Sequence, residues 1–245
     1  MIPSFDALES KAAKIRRETI LLAVRRNMGH IASSLSCVEI LTTLMYGMLT
    51  EQDMFVMSKA HGWYSLYCIM VDLGLWDSTA SIPGVMEKYH GNTIAFGSLG
   101  HGPSVAAGIA WARKWRGEPG DVYCLTGDGE WDEGACYEAY RFACRENLTN
   151  LRLLVDCNGY SAMRKTTPPP LQATQTWGHS VREIYYELRE PLPLLKLFVT
   201  RKGEGLPFML DDPKWHYRTP KNESEIEAFC TALNMTKEEL YDSAS

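Results

Sequence analysis

The apolar run Val122-Tyr123-Cys124-Leu125-Thr126 leads straight into Gly127-Asp128-Gly129, and a second run, Leu151-Arg152-Leu153-Leu154-Val155-Asp156, closes on Asn158. Between them, from about Trp131 to Glu146, apolar residues recur at helical spacing. A strand, a helix and a second strand in that order build a parallel sheet, whose ligands collect beyond the carboxyl ends of the strands. Asp128 and Asn158 both fall on that edge. The chain is therefore expected to be an α/β protein with a mostly parallel central sheet flanked by helices.

Further elements fit the same frame. Leu8, Ala12, Ile15, Thr19, Leu22 and Ala23 predict an amphipathic helix from Asp6 to about Met28, with Asp6 and Glu9 as its cap pair. Ser36-Cys37-Val38-Glu39 has the form of a capping box and predicts a second helix to about Leu49. Met54-Phe55-Val56-Met57 reads as a buried strand, with a helix from about Gly62 to Leu73 and His61 at the turn between them. The loop Gly97-Ser98-Leu99-Gly100-His101-Gly102-Pro103 opens a helix ending near Trp115. After the breaker Pro168-Pro169-Pro170 come a strand from Leu194 to Thr200 and a helix from Ser224 to Leu233.

The chemistry of the Gly-Asp-Gly unit follows from its residue types. A diphosphate needs a divalent cation to neutralise it, and magnesium prefers oxygen ligands in octahedral array. A carboxylate from Asp128, an amide oxygen from Asn158 and a nearby backbone carbonyl supply such oxygens. Gly127 and Gly129 let the main chain approach the phosphates and leave N–H groups at a helix start, where anions are favoured.

With these residues in place, the sequence resembles the N-terminal half of transketolases. Gly127-Asp128-Gly129 with Asn158 resembles the thiamine diphosphate motif, and Glu133-Gly134 the family's Glu-Gly. Asn27-Met28-Gly29-His30 resembles its Gly-His segment, Ser58-Lys59-Ala60-His61 its Ser-Lys-Gly-His, and Gly97 to Gly102 its Gly-Ser-Leu-Gly-Gln-Gly. Thr200-Arg201-Lys202-Gly203-Glu204-Gly205 and Trp215-His216 resemble segments further on, in the family's order.

The resemblance implies a single diphosphate-type, thiamine diphosphate-binding domain over residues 1–245. It implies magnesium on Asp128, Asn158 and the Tyr160 carbonyl; Gly127, Gly129 and His216 at the diphosphate; and Gly97 and Leu99 along the aminopyrimidine. His30 and His61 would face the thiazolium and the donor ketose, with His216 near them, and Glu133 would join a glutamate network between two cofactors. Imidazoles suit proton shuttling near neutral pH.

The sequence also departs from that pattern. His101 stands where the family has Gln, and His90-Gly91 is the one candidate for its Gly-His-Pro segment. The stretch from Pro170 to Lys202 is short, and Trp177-Gly178-His179 only loosely resembles the family's Gly-Trp. The domain that carries the cofactor-activating glutamate is missing, so the resemblance implies a heterotetramer built with a C-terminal, pyrimidine-binding partner subunit. The implied reaction is transfer of a two-carbon ketol unit from a ketose to an acceptor. The alternatives are a decarboxylating 2-oxo acid transferase and a non-catalytic regulatory subunit.

Composition narrows the partners. The net charge of −5 argues against nucleic acid, whose backbone is held by clustered Lys and Arg. No apolar run approaches the roughly 20 residues that span a bilayer, and Met1 to Asp6 has no export signal, so a cytoplasmic protein is expected. Seven cysteines without C-x-x-C spacing read as free, mostly buried thiols.

Overall fold

Ser4 starts the first helix in the computed structural model, which describes residues 3–77, 88–89, 93–190 and 194–242. Its hydroxyl accepts the Ala7 amide at 3.2 Å, so the cap is Ser4 and not the expected Asp6 and Glu9 pair, and α1 runs Phe5–Arg25. Leu8, Ala12, Ile15, Thr19 and Ala23 form its buried stripe. The capping box expected at Ser36 does not form. The Ser36 hydroxyl donates to Asp156 at 2.6 Å and Glu39 accepts from Arg16 at 2.5 Å, so tertiary partners take both side chains. The expected single helix is split into α2 (Ile31–Leu35), α3 (Val38–Thr42) and a π-helical turn over Thr43–Met48.

Next come β1 (Met54–Met57), a 3₁₀ turn at Ala60–Gly62, α4 (Trp63–Asp72), β2 (Lys88–Tyr89), β3 (Thr93–Ala95), α5 (His101–Arg116) and β4 (Val122–Gly127). A 3₁₀ turn at Asp128–Asp132 precedes α6 (Gly134–Arg145), so this helix begins three residues later than the sequence suggested. The chain continues through β5 (Leu151–Cys157), a small hairpin of β6 (Tyr160–Ser161) and β7 (Arg164–Lys165), β8 (Ala173–Trp177), α7 (Val181–Arg189) and β9 (Leu195–Val199). A 3₁₀ turn at Pro213–Trp215, α8 (Glu223–Leu233) and α9 (Lys237–Tyr241) complete the order.

The main sheet has the order β2-β3-β1-β4-β5-β9-β8, antiparallel between β2 and β3 and parallel elsewhere. Successive strand residues point to opposite faces. Phe55, Met57, Tyr123, Leu125, Leu154 and Phe198 join one core with α1, α4 and α7. Val56, Val122, Cys124, Leu153, Val155 and Leu197 join a second core with α5 and α6. A sheet covered on both faces needs apolar residues at every position, which explains why these strands read as continuous apolar runs.

No helix among the described residues is long and apolar enough to cross a membrane. All seven cysteines are free, and five are buried.

Candidate active site

Parallel register brings the carboxyl ends of the central strands level, pairing Met57 with Leu125, Gly127 with Asp156, and Cys157 with Val199. The residues just after these ends therefore meet: Lys59 and His61 after β1, Asp128 after β4, Asn158 after β5 and Lys202 after β9. They line a cavity of about 250 Å³ together with Leu99, Gly127, Gly129, Tyr160 and His216.

Asp128 is buried, and its two oxygens accept the Gly129 amide at 2.9 Å and the Gly159 amide at 2.7 Å. Burial and the neighbouring Asp156 push its carboxyl up to about 7. Asn158 offers its side-chain oxygen to the Tyr160 amide at 3.2 Å. Gly129 leaves no room for a side chain: a Cβ there would sit 2.6 Å from the Ser161 main chain.

Beneath them lies a buried polar floor. The Lys59 ammonium donates to the Ser33 carbonyl at 2.5 Å, to the Ser36 hydroxyl at 2.9 Å and to the Asp156 carboxylate. Asp156 also accepts from Thr200 and Ser36. Burial works against the Lys59 charge, but Asp156 outweighs it and the ammonium is held above its ordinary range. On the other side Glu130, buried, accepts the Ser58 hydroxyl, the Gly100 amide at 2.8 Å and the Gly127 amide at 3.3 Å. It ties the Gly97–Gly100 loop to the turn that carries Asp128.

Three histidines converge on the cavity. The His30 ring lies 4.4 Å from His61 and 4.8 Å from His216, centroid to centroid. His30 adopts φ +64°, a strained conformation for a side chain with a Cβ. Its amide donates to the His216 carbonyl at 2.8 Å and its carbonyl accepts the Ser33 and Ser34 amides, which hold the bend. Burial, then His61 and His216, lowers His30 to about 3. Burial, then Lys202, lowers His216 to about 4, and burial and Lys59 lower His61. All three are thus neutral near pH 7. The Lys202 ammonium lies 3.1 Å from His216 Nδ1, so that nitrogen accepts and Nε2 carries the proton.

Of the residues singled out from sequence, His61, Leu99, Gly127, Asp128, Gly129, Asn158, Tyr160 and His216 line this one cavity. His30 packs on it, and Gly97 lies at the start of the loop bearing Leu99. Glu133 is exposed, its Cβ facing Gly100, outside the lining. His101 is exposed at the start of α5, and His179 is exposed in a separate cleft beside Arg16 and Arg17. His90 lies outside the described residues. Sequence reasoning missed Glu130, Asp156 and Tyr217. An acidic residue inside an apolar strand was the available signal for Asp156, and adjacency to Gly129 for Glu130.

The residues present fit a magnesium diphosphate. The oxygens are of the hard type such a cation prefers, and the buried Asp128 carboxylate accepts from two main-chain amides that orient both of its oxygens. No group of three His, Cys, Asp or Glu that could hold a metal ion occurs among the described residues.

The family described as 1-deoxy-D-xylulose-5-phosphate synthase matches residues 4–167. The A subunit of apulose-4-phosphate transketolase from Actinobacillus succinogenes is 33% identical, over 96% of this chain and 98% of that one. The 6-deoxy-6-sulfo-D-fructose transketolase subunit SqwG of a Clostridium species is 31% identical, over 82% of this chain and 87% of its own. The crystal structure of transketolase from Campylobacter jejuni superposes with a TM-score of 0.79 at 23% identity, over 96% of this chain and 44% of that one, and shares its fold. The chain thus spans less than half of that transketolase and nearly all of the Actinobacillus protein.

Proposed function

This chain belongs to the transketolase-like family, and on that premise we propose that it is the diphosphate-binding subunit of a two-chain, cytoplasmic transketolase that uses thiamine diphosphate and magnesium. Asp128 and Asn158, with the Tyr160 carbonyl, would hold the cation, and the Gly127 and Gly129 main chain would face the diphosphate with His61 and His216. Gly97 and Leu99 would lie along the aminopyrimidine. When bound, the cofactor supplies a nucleophilic carbon and an electron sink for breaking the bond beside a ketone.

The chain's own residues would do the rest. Neutral His30 and His61 are suited to take or return a hydroxyl proton of a hydroxylated donor, which favours a ketose over a 2-oxo acid. His216, with its proton on Nε2, presents a donor to an anion. Exposed Glu133 and Leu99 leave the rim open to a pyrimidine-binding partner, giving a heterotetramer of two pairs.

The observation that carries this reading is the placement of Asp128 and Asn158 on the tips of adjacent parallel strands, in one cavity with His61 and His216. Calorimetry of thiamine diphosphate with magnesium, with and without the partner, tests it. We expect binding in the wild type and none in Asp128→Ala. Absence of binding in both settings would sink the proposal. Consumption of hydroxypyruvate in preference to pyruvate by the reconstituted pair separates ketol from 2-oxo acid chemistry.

A further inference from the structure

Tyr217 is 64% exposed and yet lines the cavity. It covers no apolar core. Its ring packs edge-on against His216 at 4.2 Å and His30 at 4.7 Å, two of the three converging imidazoles. Its hydroxyl has no hydrogen-bond partner among the described residues. Large aromatics left in the open on a polar cavity, with an unpaired hydroxyl, are suited to an amphipathic ligand: the ring meets C–H surface and the hydroxyl meets a polar group.

The main chain beneath this ring is fixed from several sides. Trp215 is buried, and the His216 carbonyl accepts the His30 amide. Arg218 pairs with Glu225, and the Thr219 hydroxyl donates to the Asn27 side chain at 2.6 Å. Gly29 packs so closely that a Cβ there would lie 3.0 Å from the Tyr217 carbonyl group. The main chain of the segment bearing Tyr217 is therefore clamped, and its ring leans on His30 and His216.

We propose that Tyr217 is a specificity-determining residue of the substrate site, where its ring limits the length of donor ketose admitted beside His30 and His216 and its hydroxyl binds a donor hydroxyl. This rests on the transketolase reading above and adds the residue that sets donor size. The ring stands on the histidine side of the cavity, so the carbons of a donor held at those imidazoles run up against it.

The test compares hydroxypyruvate with a seven-carbon ketose phosphate as donor, at one fixed acceptor, using the pair reconstituted with its partner subunit. Tyr217→Gly should raise the ratio of kcat/KM for the long donor over the short one by about tenfold or more, and Tyr217→Trp should lower it. Tyr217→Phe should hold that ratio within about twofold while raising KM for both. Thiamine diphosphate binding by calorimetry should be unchanged in Tyr217→Phe and Tyr217→Trp, and Tyr217→Trp decides the question if the glycine variant does not fold. A ratio that stays within about twofold in the Gly and Trp variants overturns the role of Tyr217 alone. No turnover of either donor by the wild-type pair overturns both this role and the transketolase reading.

Discussion

Replacing Lys59 by methionine removes the only ammonium that touches Asp156 among the described residues, a carboxylate with no exposed side-chain surface. Breaking a buried pair on one side costs about 3–5 kcal/mol, because the surviving charge is left in a poor solvent. Asp156 keeps donors from Ser36 and Thr200, so the lower figure applies, about 3 kcal/mol. At about 2.1 cal/mol/K of unfolding entropy per residue, the 245 residues give roughly 0.5 kcal/mol per degree. Tm should therefore fall by roughly 6 °C, measured by circular dichroism on the metal-free chain. Asp156→Asn added to Lys59→Met should recover at least about 1 kcal/mol of the summed losses, since it removes the stranded charge. Because the folded Lys59 is held above 10.5, its contribution is complete below that pH and fades only above it. Between about pH 6 and 9 any slope in the Tm difference should therefore come from Asp128, which titrates near 7 beside Lys59, and not from the ammonium itself. A loss under about 2 °C, or strictly additive effects, would refute the reasoning.

Two further outcomes follow from the other buried groups. Glu130→Ala strands the Gly100 and Gly127 amides and the Ser58 hydroxyl, and should cost about 3 kcal/mol in a urea melt, with Glu130→Gln recovering part; unchanged midpoints in both would contradict the tie it makes. His30 and His216 stay neutral in the folded chain down to about 3 and 4, whereas in the unfolded chain they protonate near 6.5. Their linkage is therefore silent above pH 6.5, and each takes up to about 1.4 kcal/mol per pH unit off stability as pH falls from there toward 4, less for the partly exposed His30. Urea melts between pH 7 and 4.5 should show a slope that His216→Asn reduces.

The sequence made the strands and the positions of Asp128 and Asn158 legible because a two-sided parallel sheet writes itself as apolar runs and puts ligand groups just past their ends. It hid β8 and α7. Ala173-Thr174-Gln175-Thr176-Trp177 is an edge strand with no buried residue, and it carries little of that apolar signature. The misread caps differ in cause: at Asp6 the local choice fell on the wrong one of two nearby capping residues, since Ser4 caps the Ala7 amide, whereas at Ser36 the distant Asp156 and Arg16 claim Ser36 and Glu39. Glu130 and Lys59 were invisible as buried residues for the reason that hid the partners of Ser36. A charge is buried only where partners distant in sequence meet it, as Ser58 and Gly100 meet Glu130.

Along β4 and β5, neighbouring residues belong to different cores, Leu125 and Leu154 to one and Cys124 and Leu153 to the other. Slipping one strand by a single residue would swap its side chains between the two packed interiors and at the same stroke carry Asn158 about 3.3 Å along the strand relative to Asp128. The placement of Asp128 and Asn158 beside one another therefore rests on strand register, with the Gly129, Gly159 and Tyr160 amides orienting the side chains locally. It inherits its tolerance from the interior, and on the proposed function mutations that loosen either core far from the cavity should be felt there as weaker binding of the magnesium diphosphate.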